Sequence, residues 1–169
     1  MAREHLMSRL GGWAGYEVVE ERLEQRAGQS WCLLKLQAVR GALRQCGRCA
    51  GWSHAVHDQQ ERRIRDLPIF EHRVELIVPR IRVACPHCGP SLEKLNWLQP
   101  YARVTQRLAQ SVAQLCKVAS VRHVAKHFGL DWKTVKDLDL ASLQRELGPI
   151  ELDGLEVIRA LKAGDLTRH

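Results

Sequence analysis

Four cysteines in two closely spaced pairs constrain the fold of this chain more than any other feature. The pairs are Cys46-Gly-Arg-Cys49 and Cys85-Pro-His-Cys88, and Gly89 follows the second directly. Two residues between paired cysteines let a tight turn direct both sulfurs at one cation, and four thiolates complete the tetrahedral shell of structural zinc. This shell leaves no ligand position for water, so the spacing predicts a structural Zn²⁺ site and not a catalytic one.

A redox pair and two disulfides are alternative roles for these cysteines. A thioredoxin-like pair requires one motif in a βαβ unit, which the surrounding sequence does not offer. Disulfides require an exported chain, whereas residues 1–10 lack the apolar core of a signal peptide and no segment has the length of a membrane span. We therefore expect a soluble intracellular protein with reduced thiols. An iron centre and a metal-free remnant are then the alternatives to zinc.

The basic residues are concentrated in one part of the chain. The formal net charge is +7, and residues 99–136 contain seven basic residues against one acid, Asp131. The seven are Arg103, Arg107, Lys117, Arg122, Lys126, Lys133 and Lys136. A basic block on predicted helices indicates a polyanionic partner, most commonly nucleic acid, and the alternative is a solvated helix face.

The hydrophobic pattern predicts strands before Gly89 and helices after it. A short helix over 3–11 precedes strands over 16–23 and 30–39, and the segment between the cysteine pairs contains short strand-like runs bounded by prolines. Those runs cover 62–66, 73–78 and 81–84. A helix is predicted over 102–118. The fold class is therefore α+β, with a small N-terminal β-rich zinc-ribbon module followed by an all-α helix-turn-helix domain.

The remaining cysteines and nearby histidines have simpler interpretations. Cys32 in the second strand and Cys116 in the middle of the predicted helix have no partner at ligand spacing, so we interpret both as small core residues. His54, His57 and His87 lie close to the cysteine pairs in sequence. Because four cysteines already complete the shell, we expect these histidines around the site or on the surface.

Residues 121–138 fit a helix-turn-helix. Ala125 is small where two helices would cross, Gly129 follows at the turn, and Leu130 would fill the turn. Asp131 can cap the next helix, which is predicted from Trp132 to about Leu147. A helical hairpin inside another all-α core is the alternative.

The early outward positions of this last helix are the predicted DNA readers, because such a helix lies in the major groove. Lysine can donate to guanine O6 and N7 or to phosphates, and threonine can contact a thymine methyl group. The full set of predicted DNA-binding residues is Trp132, Lys133, Thr134, Lys136, Arg122, Lys126, Arg103 and Arg107. Five arginines around the ribbon either form a second backbone contact or lie on solvated strand faces, namely Arg62, Arg63, Arg65, Arg80 and Arg82.

The order of these motifs resembles a known family. The chain resembles the N-terminal half of ISL-three bacterial insertion-sequence transposases in the order of its motifs. That order is a leading αββ segment, a Cys-x-x-Cys knuckle, the runs His57-Asp-Gln-Gln-Glu-Arg-Arg63 and Arg65-Asp-Leu-Pro68, the second knuckle and the helix-turn-helix. The resemblance covers residues 1–149. It implies an αββ segment over 1–45, the ribbon over 46–90, the helix-turn-helix domain over 100–148 and a remnant or frameshifted start of the catalytic domain over 150–169.

The resemblance implies double-stranded DNA at transposon ends as partner. In that family the zinc finger and helix-turn-helix recognise terminal inverted repeats, and a separate domain cuts DNA with an Asp-Asp-Glu triad. Here Asp153 matches only the first carboxylate, so we expect no catalysis by this chain, no small-molecule substrate and no membrane partner. We also expect a homodimer or a complex with full-length transposase. The expected location is the bacterial cytoplasm, at the nucleoid. The alternatives are a stand-alone zinc-ribbon repressor and an enzyme subunit whose zinc module contacts protein.

Overall fold

The computed structural model describes residues 6–148 and has a β-rich N-terminal part followed by helices, which is an α+β fold. The elements are α1 (Leu6–Gly11), β1 (Tyr16–Arg26), β2 (Gln29–Ala38), β3 (Arg44–Gln45), β4 (Trp52–Ser53), β5 (Val56–Ile69), β6 (His72–Cys85), β7 (Gly89–Leu92), α2 (Gln106–Cys116), α3 (Val121–Phe128) and α4 (Trp132–Leu147). Asp153 and the segment 150–169 lie outside the described residues. Within 6–148 no helix has the length and apolarity of a membrane span.

One sheet connects the predicted N-terminal segment to the ribbon. Its order is β1, β2, β6, β5, and β7 also pairs with β6. The β1–β2 and β5–β6 pairs are antiparallel hairpins, whereas β2 runs parallel to β6. The β1–β2 loop consists of Ala27 and Gly28, both with positive φ, and this is the turn geometry that matches the twist of paired strands. The small β3–β4 pair holds the first cysteine pair.

The predicted strand lengths between the cysteine pairs were wrong. The runs 62–66, 73–78 and 81–84 belong to two strands of 14 residues each, which continue through Pro68 and Pro79. Pro68 lies where the pairing register shifts between Asp66 and Ile69. Pro79 lies where β6 pairs with β5 only, because its contact with β2 ends at Ile77 and its contact with β7 begins at Arg82. Neither proline therefore interrupts a complete ladder, which is the condition for proline in a sheet.

The main core packs strands β2, β5 and β6 against residues from both ends of the sheet region. Leu34, Leu76 and Val78 are fully buried there, and Trp13 before β1 and Trp97 after β7 are buried in the same cluster. Cys32 packs against this core at partial burial, as we predicted. The segments 1–45 and 46–90 therefore share one hydrophobic core.

A second core forms between the three C-terminal helices. It contains Leu108 and Val112 of α2, Val124 of α3 and Val135 of α4, all nearly inaccessible to solvent. Helix α2 is shorter than the predicted 102–118, because the Thr105 hydroxyl accepts the Leu108 N–H and caps the helix there. Cys116 is consequently the last residue of α2 and not mid-helical, and it packs against this core at partial burial.

Candidate metal centre and nucleic-acid interface

The two cysteine pairs come together at one end of the sheet. Cys46 and Cys49 lie between β3 and β4, Cys85 is the last residue of β6, and Cys88 lies between β6 and β7. All four sulfurs are within 4.8 Å of one another, and the Cys49 and Cys85 sulfurs are 3.6 Å apart. A tetrahedral zinc with bonds of about 2.3 Å places its sulfurs about 3.8 Å apart. The four side chains therefore have the spacing of a closed zinc shell.

The backbone approaches closely around these sulfurs. The Gly47 N–H donates to the Leu92 carbonyl at 2.9 Å, and a Cβ at Gly47 would lie 2.6 Å from that oxygen. Gly89 has a φ of +68°, which a residue with a Cβ adopts only with strain. The first cysteine turn therefore needs glycine at position 47 for close packing, and the second needs glycine at position 89 for its backbone conformation. Both glycines allow the two turns to meet at a single site.

The electrostatics of the four thiols favour a bound dication. The N–H groups of Cys49 and Arg48 lower the pKa of Cys46 to about 6, so one thiolate forms readily. Cys88 is harder to ionise, since the hydrogen bond with Cys49 and burial raise its pKa to about 12. A divalent cation offsets the cost of placing several thiolates together and lets all four sulfurs act as ligands. The donor set fits structural Zn²⁺.

Histidines do not join this site among the described residues. The metal-compatible group there consists of the four cysteines alone. His54, His57 and His87 are exposed, and the His57 imidazole lies 2.9 Å from Asp58.

The helix-turn-helix is formed by α3, a left-handed residue and α4. Gly129 has φ 60° and ψ 43°, the Leu130 N–H donates to the Ala125 carbonyl at 3.0 Å, and the Gly129 N–H donates to Lys126. This pattern satisfies the free carbonyls at a helix C-terminus. The Asp131 carboxylate then accepts the Lys133 N–H at 2.9 Å and caps α4, as predicted.

The predicted crossing point of the two helices has the expected packing. Val124, Ala125 and Val135 are buried at the contact, and Phe128 is almost as enclosed. Leu130 and Leu138 pack against the same cluster at partial burial. The packing thus leaves the opposite sides of α3 and α4 to solvent.

Most of the predicted DNA-contacting side chains lie on those solvent sides. Trp132, Lys133 and Lys136 are exposed on the first turns of α4, Thr134 beside them is half-buried, and the Lys133 amine lies 5.9 Å from the Trp132 ring centre. Two cations on α3, Arg122 and Lys126, are also exposed. None of these four cations forms an ion pair with any residue in 6–148.

Arg107 and Arg103 differ from the rest of the predicted set. The Arg107 guanidinium forms an ion pair with Asp66 and donates to the Gly11 carbonyl at 2.7 Å, so its donors are used inside the protein. Arg103 is exposed just before α2, where its carbonyl accepts the Arg65 N–H at 2.9 Å. The position of a basic residue within 99–136 therefore does not show whether it is free to contact DNA or is already bound inside the protein.

Two residues of β5, Arg65 and Asp66, join the sheet to the helices. The sequence predicted Arg65 as a DNA backbone contact or a solvated strand residue, and it predicted no role for Asp66. The Arg65 guanidinium donates to the carbonyls of Phe128 and Gly129 at 3.0 and 3.1 Å, and it stacks 4.6 Å from the centre of Trp31. It therefore holds the turn of the helix-turn-helix against the sheet.

Asp66, almost completely buried, is the second link. Its carboxylate accepts from the Trp13 indole at 2.9 Å, from the Thr105 hydroxyl at 2.5 Å and from the Arg107 guanidinium. The one signal in the sequence was an adjacent Arg-Asp pair following the apolar Ile64 in a predicted strand, and this pattern does not reveal the partners.

Comparisons with known proteins agree with both sites. Residues 42–88 match the zinc finger of transposases IS204, IS1001, IS1096 and IS1165, and residues 93–141 match the helix-turn-helix domain of transposase family ISL3. The transposase for insertion sequence element IS1001 of Bordetella parapertussis is 44% identical over 145 residues, which are 85% of this chain and 35% of that protein. No solved structure matches. The chain therefore carries the zinc-finger and helix-turn-helix regions of an ISL3-family transposase, as in the N-terminal part of such a protein.

Proposed function

We propose that the chain recognises the terminal inverted repeats of an insertion sequence, with the helix-turn-helix as its main reading element. The observation that carries this proposal is the exposed start of α4, where Trp132, Lys133 and Lys136 project from a capped helix and meet no described acidic partner. The transposase relative supports transposon ends as the target in preference to an operator of a stand-alone repressor.

The two exposed helices have different tasks in this proposal. Helix α4 lies in the major groove, where Lys133 and Lys136 donate to guanine O6 and N7 or to flanking phosphates. Helix α3 crosses the DNA backbone, and its Arg122 and Lys126 contact phosphates, which adds affinity without choosing a sequence. Arg107 is omitted, because Asp66 occupies its donors.

The zinc supplies rigidity and no reaction chemistry. Its four ligands would be Cys46, Cys49, Cys85 and Cys88, which leave no open coordination position. The ion joins β3 and β4 to the end of β6, the strand that lies at the centre of the sheet. The sheet in turn holds the helix-turn-helix through Arg65 and Asp66. The ion thereby fixes one end of the scaffold that positions α4.

We propose further that these 169 residues bind DNA without breaking it. By its resemblance to the family, Asp153 matches the first of the three catalytic carboxylates, and two-metal phosphoryl transfer needs several carboxylates to hold its ions. Incubation of the purified chain with supercoiled plasmid and Mg²⁺ should give no nicking above a heat-inactivated control. Metal-dependent nicking would overturn this part of the proposal.

The partners follow from the same proposal. Pairing of two transposon ends calls for a homodimer or a complex with full-length transposase at the nucleoid. Light scattering of the purified chain, alone and with one duplex, tests the homodimer. A mass of two chains bound to two duplexes is expected, and a strict monomer with DNA would argue against it.

DNA binding itself is tested with a duplex that the chain selects from a random-sequence pool. Lys133→Ala combined with Lys136→Ala should weaken binding and reduce the slope of log affinity against log salt by about 2, since each phosphate-type contact contributes about 0.9. The matched control is Arg22→Ala with Arg40→Ala, which removes the same charge from exposed positions outside α3 and α4. A slope equal to that of the control pair would refute this placement of the reading helix.

A further inference from the structure

A basic groove lies between the zinc knuckle and the segment that leads into α2, apart from the α4 surface. It is formed by the first cysteine turn, the end of β6, β7 and residues 93–101. The side chains that matter here are Arg48, Arg80, Arg82, Lys94, Gln99 and Tyr101. Gln106, in the first turn of α2, closes one side, so the groove adjoins the helical domain.

The charge of the groove is positive and largely uncompensated. Arg48 and Lys94 are exposed and pair with no acidic residue in 6–148. Glu93 lines the groove, but Arg44 and the Tyr16 hydroxyl engage its carboxylate at 3.0 and 2.6 Å. Asp58 contacts His57 at 2.9 Å and compensates Arg82 at 3.0 Å, so it neutralises one of the groove arginines only.

Arg80 is the groove arginine with an unused buried donor. Its Nε atom is buried and has no hydrogen-bond partner among the described residues, as is also true of Arg62 beside it and of Arg65 outside the groove. Burial and then the nearby Arg80 charge lower the pKa of Arg62. Adjacent like charges are unfavourable, and an anion beside the Arg80 guanidinium offsets them.

Tyr101 gives the groove an aromatic wall in an unusual conformation. Its side chain is 74% exposed and its φ is +62°, which is rare for a bulky residue and is concentrated at functional sites. The Arg80 guanidinium stacks 4.7 Å from the ring centre. A stacked guanidinium keeps its in-plane N–H groups available for a phosphate.

The segment that presents Tyr101 is anchored on both sides. Trp97 and Leu98 are buried in the main core, and the Trp97 indole donates to the Ala14 carbonyl at 3.2 Å. The Ala102 N–H closes a turn onto Gln99 at 3.1 Å. The groove is therefore preformed, which favours binding because little ordering is required.

We propose that this groove binds the sugar-phosphate backbone of the target DNA beside the site contacted by α4. Arg80 and Lys94 would contact the phosphates, and Tyr101 would hold the Arg80 guanidinium in place. The proposal rests on the DNA-binding function proposed above and assigns to the ribbon a definite second contact. It also gives a reason for the exposed, strained Tyr101.

The test compares two lengths of the selected duplex, one covering only the helix-turn-helix site and one extended by about one helical turn on each side. The parent chain should bind the longer duplex more tightly. Arg80→Gln with Lys94→Gln should remove that difference, weaken binding to the longer duplex roughly 10- to 50-fold at about 0.1 M salt, and lower its salt slope by about 2. The charge-matched control is Arg22→Gln with Arg40→Gln.

Tyr101→Gly separates binding from folding. Glycine accepts the positive φ, so its thermal stability should equal or exceed that of the parent, while its affinity for the longer duplex should fall. If both groove variants bind the longer duplex as the controls do, the groove inference is overturned and the α4 proposal stands. If the parent selects no duplex at all, both proposals fall.

Discussion

Asp66 should be among the most sensitive single positions for stability, because one buried carboxylate joins three parts of the chain. Asp66 is only 1% exposed, and its carboxylate accepts hydrogen bonds from Trp13, Thr105 and Arg107. Asp66→Ala leaves the Trp13 and Thr105 donors buried without an acceptor, at about 1–3 kcal/mol each.

The ion pair between Asp66 and Arg107 contributes less to the free energy of unfolding than a fully buried pair would. The Arg107 side chain is 37% exposed, so water can solvate its guanidinium once the carboxylate is gone. We therefore expect Asp66→Ala to lower the free energy of unfolding by about 3–5 kcal/mol, near the range for a broken buried pair. That is a large share of the roughly 5–15 kcal/mol typical of a domain.

Urea unfolding followed by tryptophan fluorescence measures this loss, since Trp13 itself is a partner of Asp66. Asp66→Asn is the shape-matched variant and should lose less, because its amide oxygen still accepts hydrogen bonds. Asp131→Ala removes an exposed helix cap and should lose about 1 kcal/mol. A loss for Asp66→Ala no larger than that of Asp131→Ala would refute the role of Asp66 as a link between sheet and helices.

Two further predictions concern the turn and the metal. Gly129→Ala should lose about 1–2 kcal/mol of stability, because alanine is strained at a φ of 60°. A Cβ at this position also displaces the Arg73 guanidinium, and this cost is common to Gly129→Asn. Because asparagine tolerates the left-handed conformation, Gly129→Asn should lose less in the same urea titration, and equal losses would contradict the strain explanation. Elemental analysis of Cys85→Ser should find less than one equivalent of bound zinc, and one full equivalent would contradict the four-sulfur site. Acidification should release zinc from the parent protein, because protons compete with the metal for the thiolates.

The sequence predicted the four zinc ligands and the helix-turn-helix because both depend on local patterns. Cysteine spacing identified the four sulfurs, and Ala125, Gly129 and Asp131 each serve a neighbour within a few residues. The parallel contact of β2 with β6 depends on pairing between distant segments, whose register no local pattern specifies. The predicted strands were too short because a proline in a sequence usually marks the end of a strand. Whether a strand continues through a proline depends on which neighbouring strands pair at that position, and this is decided by the tertiary fold.

The arginines show the same division. Arg107 has the helix position of a DNA contact, but the acid that occupies it, Asp66, lies far away in the chain. Arg65 and Arg80 were indistinguishable as basic strand residues, yet one caps a helix and the other lines an uncompensated groove. Sequence reports how many cations there are, and only the assembled structure reports which are already paired.

Methylation interference at guanine N7 tests the central claim most directly, because N7 lies in the major groove and is a target for the α4 lysines. In the duplex selected by the chain, N7 methylation within the protected site should exclude that DNA from the bound fraction, and the effect at one or more guanines should disappear in the Lys133→Ala, Lys136→Ala variant. Binding that is indifferent to N7 methylation throughout the site would contradict recognition by α4 in the major groove.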